Sequence, residues 1–117
     1  MRILLDHGAP QGLVRQLVGH EVFTAYWQGW ERLSNGELLR AAEDGFFDIL
    51  LTTDKGIRYQ QNLAGRRIAI VVLTGSTKWS EISRHIESIR DAVSSVGTGG
   101  YIEVEIPYPP MAGAGGV

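Results

Sequence analysis

Residues 67–74 read Arg-Ile-Ala-Ile-Val-Val-Leu-Thr, an unbroken run of mostly β-branched and aliphatic side chains. Val, Ile and Thr pack well on the pleated surface of a sheet. A strand that is apolar on both faces is typical of a parallel sheet whose two faces are covered by helices. The segment therefore predicts a central strand of an α/β domain.

Two shorter apolar runs precede this strand, and each of them ends at an aspartate. Ile3-Leu4-Leu5 stops at Asp6, and the segment 46–53 contains Ile-Leu-Leu-Thr-Thr directly before Asp54. Short apolar runs with abrupt polar ends are typical of buried strands. Both runs therefore predict strands of the same sheet, with an acid at the end of each.

Two further segments complete the predicted sheet. Residues 20–25, His-Glu-Val-Phe-Thr-Ala, look like a second strand. Residues 101–106 alternate their side chains, and Pro107 follows them. Because proline cannot donate to a strand ladder, we expect this last strand at an edge of the sheet.

Segments with helical patterning separate the predicted strands. Pro10 suits the first turn of one helix, and Ser34 with Glu37 has the spacing of a capping box for a helix that stops near Gly45. Ser80 is expected to cap the last helix. The apolar positions of the first and last helices are Leu13, Val14, Leu17, Val18, and Ile82, Ile86, Ile89, Val93, Val96. Strands alternating with helices predict a mostly parallel sheet of about five strands with helices on both faces.

Length and composition indicate one domain. The chain has 117 residues, no cysteine and a net charge of −2 at pH 7. We place the α/β domain at residues 1–106 and expect residues 107–117, rich in Pro, Gly and Ala, to be a flexible tail. The charge excludes a nucleic-acid binder that works by bulk positive charge alone. No window approaches the roughly 20 apolar residues of a membrane helix, so we expect a cytoplasmic protein without membrane contact.

Asp6 and Asp54 are the first candidates for a functional site. In open α/β sheets, ligands bind outside the carboxyl ends of the strands, where both residues are expected. Mg²⁺ is typically held by one or two carboxylates together with water. Aspartate is also a common helix cap, and spacing alone favours neither role over the other.

Three motifs resemble the PIN-like domain family. They are Met-Arg-Ile-Leu-Leu-Asp-His-Gly-Ala-Pro at residues 1–10, Ser-Asn-Gly-Glu-Leu-Leu at residues 34–39 and Asp-Ile-Leu-Leu-Thr-Thr-Asp-Lys at residues 48–55. The resemblance extends in order over about residues 1–75. It implies a PIN-like three-layer sandwich and a ribonuclease dependent on Mg²⁺ or Mn²⁺. Many members are the toxin of a toxin–antitoxin pair, so the implied partners are an RNA substrate and a small antitoxin protein.

The same resemblance assigns roles to individual residues. Asp6 and Asp54 would be metal ligands. Asn35 stands where the family favours aspartate, and as a neutral ligand it would be the weaker one. Glu37 would assist catalysis, although a capping-box glutamate also bonds its own helix backbone. His7 stands where relatives often carry glutamate.

Substrate contacts are expected from charged residues next to the two acids. Lys55 and Arg58 would hold the RNA backbone, and His7 would act on a leaving group. For both basic residues, solvated surface charge is the simpler alternative. Asp48 precedes its strand and is expected at the opposite rim, in a structural role.

Two other classes of protein compete with the nuclease. A receiver-type signalling domain would use Asp54 as phosphoryl acceptor, with Thr74 and Lys78 near the phosphate. A catalytically inert binding module on the same fold is favoured by Asn35 in place of an acid. Clustered aromatic residues at Tyr26, Trp27 and Trp30 favour that module too, through an antitoxin contact or a homodimer.

Overall fold

The computed structural model describes residues 1–60 and 63–109, and the predicted tail lies outside the described residues from position 110 onward. The strands are β1 (Arg2–Leu5), β2 (Glu21–Thr24), β3 (Ile49–Thr52), β4 (Ala69–Gly75) and β5 (Tyr101–Ile106). The helices are α1 (Leu13–Gln16), α2 (Asn35–Asp44), α3 (Ile57–Gln60), α4 (Trp79–Ile82) and α5 (Ile86–Ser95), with a 3₁₀ turn at Ser83–His85.

The five strands form one sheet in the order β2-β1-β3-β4-β5, and every pair is parallel. β4 lies between β3 and β5, and β5 forms an edge, which confirms both placements made from the sequence. The chain passes from β1 to β2 on one side and then returns to β3 on the other side of β1. The strand order therefore reverses between β1 and β3.

Each face of the sheet carries its own apolar layer. One layer joins strand residues such as Leu5, Leu51 and Val71 to α1, α4 and α5. The other joins Leu50 and Val72 to α2 and α3. Neighbouring strand residues alternate between the two layers because successive side chains point to opposite faces. The molecule is thus a three-layer α/β sandwich, as predicted, and burying each large apolar side chain contributes about 1.5–3 kcal/mol.

The first predicted helix is shorter than its sequence pattern indicates. α1 is a single turn that begins at Leu13, and Leu17 already leaves the helical region with φ −91° and ψ 64°. Gly19 then turns the chain with φ +89°. As a result Val18, expected on the buried stripe, is 78% exposed. Pro10 precedes the helix and accepts the backbone N–H of Leu13, so it belongs to the entering turn.

The last predicted helix is divided in two, and its predicted cap is wrong. α4 begins after Lys78, which makes no side-chain cap, and Ser80 lies inside its first turn. The 3₁₀ turn then bends the chain before α5 begins. The expected apolar side chains are all buried, namely Ile82, Ile86, Ile89, Val93 and Val96. In the part of the chain that the structure describes, no helix is both long and apolar enough to cross a membrane.

Candidate functional site

The candidate site lies at the carboxyl ends of β1 and β3, which are direct neighbours in the sheet. Asp6 follows β1, and its backbone N–H donates to the carbonyl of Leu51 at 2.9 Å, which extends the strand pairing to the rim. Asp54 follows β3 by two residues. The two aspartates therefore stand at one rim, as predicted. They flank the reversal of strand order, where open α/β sheets form their ligand crevice.

Thr52 connects the two acidic segments. Its hydroxyl donates to Oδ2 of Asp6 at 2.7 Å and accepts the backbone N–H of Asp54 at 3.1 Å. The side chain is fully buried, so its hydroxyl depends on these two partners. The sequence motif contained Thr52, but no role was predicted for it. The available signal was a hydroxyl two residues before the acid, at the last position of a buried strand.

The remaining hydrogen bonds hold each carboxylate in place. Oδ1 of Asp6 accepts the backbone N–H of His7 at 2.7 Å. Oδ1 of Asp54 accepts the backbone N–H of Gly56 at 2.9 Å, and Oδ2 accepts the amide Nδ2 of Asn35 at 2.8 Å. Asp54 thus bonds the turn that enters α3, which agrees in part with the helix-cap alternative. Asp6 caps no helix, since α1 begins only at Leu13.

Neither aspartate has a cationic partner within residues 1–60 and 63–109. The ion pairs formed there are Arg2–Glu21, Arg66–Glu43, Arg84–Glu81 and Arg90–Glu87. Asp6 and Asp54 are both half-buried, so water screens their charges only in part. Carboxylates that lie close together destabilise each other unless a proton or a cation neutralises them. Within the described residues, neither carboxylate is therefore neutralised by an ion pair.

The donor atoms present suit a hard divalent cation. Each of the four carboxylate oxygens of Asp6 and Asp54 accepts one hydrogen bond and keeps a second lone pair for a ligand. Mg²⁺ accepts one or two carboxylates when water fills the other positions. Among the described residues, no three His, Asp or Glu side chains form a group able to hold a metal. An ion at this rim would thus rest on two carboxylates and water.

Asn35 lies at the site, but the structure gives its amide a specific orientation. The side chain of this first residue of α2 points Nδ2 at Asp54. Direct metal ligation would use the other amide atom, Oδ1. The contact seen is that of a residue that orients the Asp54 carboxylate, which a sequence pattern alone does not reveal.

Glu37 forms the predicted capping box. Its Oε1 accepts the backbone N–H of Ser34 at 3.0 Å and the Ser34 hydroxyl at 2.8 Å. The Ser34 hydroxyl in turn accepts the Glu37 backbone N–H at 3.4 Å. The backbone bond first, and the hydroxyl second, lower the pKa of Glu37 from its ordinary 4.5. The capping role is confirmed, and a catalytic role for this exposed carboxylate stays a prediction.

The three predicted substrate-binding residues differ in position. His7 and Lys55 are exposed and adjoin Asp6 and Asp54 in sequence, so both lie at the rim. The guanidinium of Arg58 lies 4.9 Å from the ring centre of Tyr101. Tyr101 is the first residue of β5, towards the opposite end of the strands. This contact directs Arg58 away from the rim that carries the acids.

A lysine on the next loop was not predicted as part of the nuclease site. Lys78 is exposed in the turn after β4, which is the neighbour of β3. The buried hydroxyl of Ser76 accepts the Lys78 backbone N–H at 3.2 Å and shapes this turn. Parallel strands end at the same rim, so Lys78 supplies a cation on the side of Asp54 away from Asp6. The sequence signal was a basic residue shortly after a central strand.

The opposite rim carries a different set of groups. Asp48 accepts the backbone N–H of Arg2 on its Oδ2 at 2.8 Å, which confirms its predicted place and structural role. A cleft of about 520 Å³ lies there between Met1, Phe46 and Arg67. This cleft contains neither Asp6 nor Asp54, so it is separate from the candidate site.

Comparison with known proteins adds no identification. No family model, no curated protein and no solved structure matches the chain. The α/β fold and the site geometry therefore rest on the chain itself, and the PIN-like assignment stays an expectation from the three sequence motifs.

Proposed function

We propose that the chain is a Mg²⁺- or Mn²⁺-dependent ribonuclease that hydrolyses phosphodiester bonds at the rim between β1 and β3. The observation that carries this proposal is the pair Asp6 and Asp54, joined through Thr52 and lacking any cationic partner in the described chain. Fixed carboxylates with spare lone pairs are the protein's usual contribution to a magnesium site. The motif resemblance supports the same chemistry.

Each residue of the rim has a distinct task in this proposal. Asp6 and Asp54 hold the divalent ion, which when bound lowers the pKa of a water and stabilises charge on the phosphate. Thr52 fixes the carboxylate of Asp6, and Asn35 fixes that of Asp54. Lys78, together with Lys55, attracts the RNA backbone to a rim that would otherwise repel it.

We extend the proposal to the toxin of a toxin–antitoxin pair. The support is the run of three motifs that resemble PIN-like toxins in chain order. Expression of the wild type is then expected to arrest bacterial growth, whereas Asp54→Asn does not. A small reading frame next to the gene, whose product relieves the arrest, would be the antitoxin; relief by an inactive control protein would contradict the assignment.

The direct test is cleavage of RNA by the purified protein. Wild type is incubated with labelled RNA in Mg²⁺, in Mn²⁺ and in EDTA, next to Asp6→Asn and Asp54→Asn. Asp48→Asn is the matched control, because it makes the same chemical change at the opposite rim. We expect cleavage by wild type and Asp48→Asn, and none by the other two variants or in EDTA. Equal cleavage by all proteins would identify a contaminating nuclease and end the proposal.

A catalytically inert binding module is the second candidate. Its specific support is the hydrogen bond from Asn35 to Asp54, which satisfies part of one carboxylate without an ion. Absence of cleavage, together with no shift in melting temperature on adding Mg²⁺ or Mn²⁺, would favour this module over the nuclease.

The receiver-type alternative has less support. It needs a lysine after the strand that follows Thr74, and Pro107 follows β5 with no lysine in residues 107–117.

A further inference from the structure

The loop after β2 carries aromatic side chains that the core does not use. Trp30 packs on the core, with its ring edge-on to Phe47 and 6.2 Å between the ring centres. By contrast, Tyr26 is 61% and Trp27 is 63% exposed. Large aromatic side chains held in water are enriched at binding surfaces. The two side chains are thus candidates for a contact with a ligand.

This loop is held by hydrogen bonds although its aromatic side chains are exposed. The backbone N–H of Trp27 donates to the buried hydroxyl of Thr24 at 3.1 Å. The backbone N–H of Trp30 donates to the carbonyl of Ala25 at 2.8 Å, and Gly29 allows the turn with φ +79°. A rigid loop loses little conformational freedom on binding. The main chain that carries Trp27 is therefore held in place before a ligand binds.

The position of the loop relates it to the acidic rim. β2 pairs with β1 in the register Leu5↔Thr24, and the backbone N–H of Ala25 donates to the carbonyl of Leu5 at 2.8 Å. Asp6 is the next residue after Leu5. Neighbouring strands lie about 4.8 Å apart, so the loop leaves the sheet directly beside the candidate site.

Trp27 also forms one wall of a cleft. The cleft has a volume of about 360 Å³, and its other walls are Gln11, Gly12, Val14 and Arg15. Arg15 has no carboxylate partner among the described residues. The cleft thus combines an exposed indole, an aliphatic side chain and an unpaired cation. This is the combination that binds a stacked base next to its phosphate.

We propose that Trp27 stacks a base of single-stranded RNA while Arg15 binds an adjacent phosphate, so that the strand leads onto the Asp6–Asp54 rim. The inference rests on the proposed function and adds the residues that bind the RNA outside the acidic rim. In a duplex the faces of the bases are occupied by their neighbours, so only an unpaired strand offers a base to Trp27. A standard protein–protein interface buries about 800 Å² of each partner, so this cleft of about 360 Å³ would form only a small part of one. The cleft is at the small end of sites that hold a compact ligand.

The test measures binding separately from cleavage. A fluorescein-labelled single-stranded RNA of mixed sequence is titrated in EDTA, with fluorescence anisotropy as the readout. Trp27→Ala is expected to weaken binding roughly 5- to 150-fold, because stacking contributes about that much per base. Trp27→Phe retains an aromatic ring and is expected to retain most of the affinity. Phe46→Ala is the matched control, since Phe46 is 74% exposed at the opposite rim.

Salt dependence tests the assigned phosphate contact. Arg15→Ala is expected to lower the slope of log affinity against log salt by about 0.7, the value for one phosphate contact of a single strand. A duplex of the same sequence is expected to bind more weakly and without dependence on Trp27. Melting curves of Trp27→Ala and Phe46→Ala should match that of the wild type, since both side chains are exposed.

Several results would overturn the inference. One is the absence of RNA binding by the wild type, and another is a loss of affinity in Trp27→Ala no greater than that in Phe46→Ala. A third is self-association of the wild type that Trp27→Ala abolishes and Phe46→Ala does not. Failure of the nuclease proposal is distinguishable, because it appears as absent cleavage while the Trp27-dependent binding persists. If Asp6→Asn loses cleavage while Trp27→Ala binds RNA as tightly as the wild type, the nuclease proposal stands and the proposed role of Trp27 is wrong.

Discussion

The hydroxyl of Thr52 lies 2.7 Å from Oδ2 of Asp6 and joins the last residue of β3 to the residue after β1. The same oxygen accepts the backbone N–H of Asp54 at 3.1 Å. One buried threonine thus sets the positions of both acids. On Asp6 this bond occupies one lone pair of Oδ2 and leaves the second one for a cation.

Thr52→Val is expected to destabilise the protein by about 1–3 kcal/mol, because it removes a buried hydroxyl and leaves two polar groups without their partner. Thr52→Ser should recover most of that loss. Thr53→Val, one residue later and only half-buried, is the control. Urea unfolding of the four proteins measures the difference. An equal cost for the valine substitutions at 52 and 53 would show that the Thr52 bridge has no energetic role.

Asp54→Asn is expected to keep or raise the melting temperature in EDTA, since it removes one charge from an acidic rim. The side-chain amide of Asn35 can then flip, so that its oxygen accepts a hydrogen bond from the new amide at position 54 and the contact is retained. Asp6→Asn should be less stable than Asp54→Asn, because the donors to Asp6 are the backbone N–H of His7, which cannot become an acceptor, and the buried Thr52 hydroxyl, which already accepts the backbone N–H of Asp54.

Thermal unfolding with and without excess Mg²⁺ completes that comparison. The ion should stabilise the wild type and Asp48→Asn, but neither Asp6→Asn nor Asp54→Asn. If Asp54→Asn gains as much from Mg²⁺ as the wild type, Asp54 is not a ligand.

Ser34→Ala is expected to cost about 1 kcal/mol, because α2 loses the side chain that caps its first turn. Glu37→Gln should be tolerated better, since glutamine at this position also forms a capping box. Helix content by circular dichroism and urea unfolding give the two measurements. A stability loss in Glu37→Gln as large as in Ser34→Ala would indicate that the charge of Glu37 matters more than its hydrogen bonds.

The lowered pKa of Glu37 predicts a pH dependence of stability. In the unfolded chain the carboxyl titrates near its ordinary 4.5, whereas the bonds from Ser34 hold its pKa lower in the folded state. The folded state therefore binds fewer protons in this range, and stability rises with pH. The contribution is complete above about pH 4.5 and is lost as the pH falls through the folded pKa. Wild type should lose more stability than Glu37→Gln between neutral pH and that acidic range.

Gly75→Ala is expected to destabilise strongly, because a β-carbon there would lie 2.2 Å from the backbone oxygen of Ile106 at a φ of +88°. Gly19→Ala is the matched control, with φ +89° and no neighbour within 4 Å. Both variants carry the cost of a left-handed backbone, about 1–2 kcal/mol. Gly75→Ala adds the overlap with β5, typically about 1–3 kcal/mol more. Equal midpoints in urea would contradict the close packing of this turn against β5.

Sequence patterns predicted the strands well and the helix ends less well. The unbroken run at 67–74 and the aspartate after each short apolar run are properties of neighbouring residues, so they gave β4 and the common rim of Asp6 and Asp54. Val18 fits a helical stripe, but α1 has already ended at Gln16. Such endings depend on how the whole segment packs, which periodicity does not record.

The side-chain contacts within the site could not be predicted from the sequence. Thr52 reads as one more β-branched strand residue, and its bond to Asp6 spans 46 positions. Asn35 was predicted as a ligand, whereas the direction of its amide depends on where Asp54 lies in space. Lys78 becomes part of the rim only once β4 is known to lie next to β3.

Because β1 pairs with β3, the acidic rim can form only late during synthesis of the chain. Ile3 pairs with Ile49, so the first strand emerges from the ribosome well before its inner neighbour exists. Until Thr52 and Asp54 have followed, the nascent chain has no complete acidic rim, and contacts so distant in sequence form slowly. A fragment released early, or a chain cut between the two strands before folding, would therefore lack the proposed nuclease activity. The activity proposed for this protein would begin only when its β3 is finished and docked.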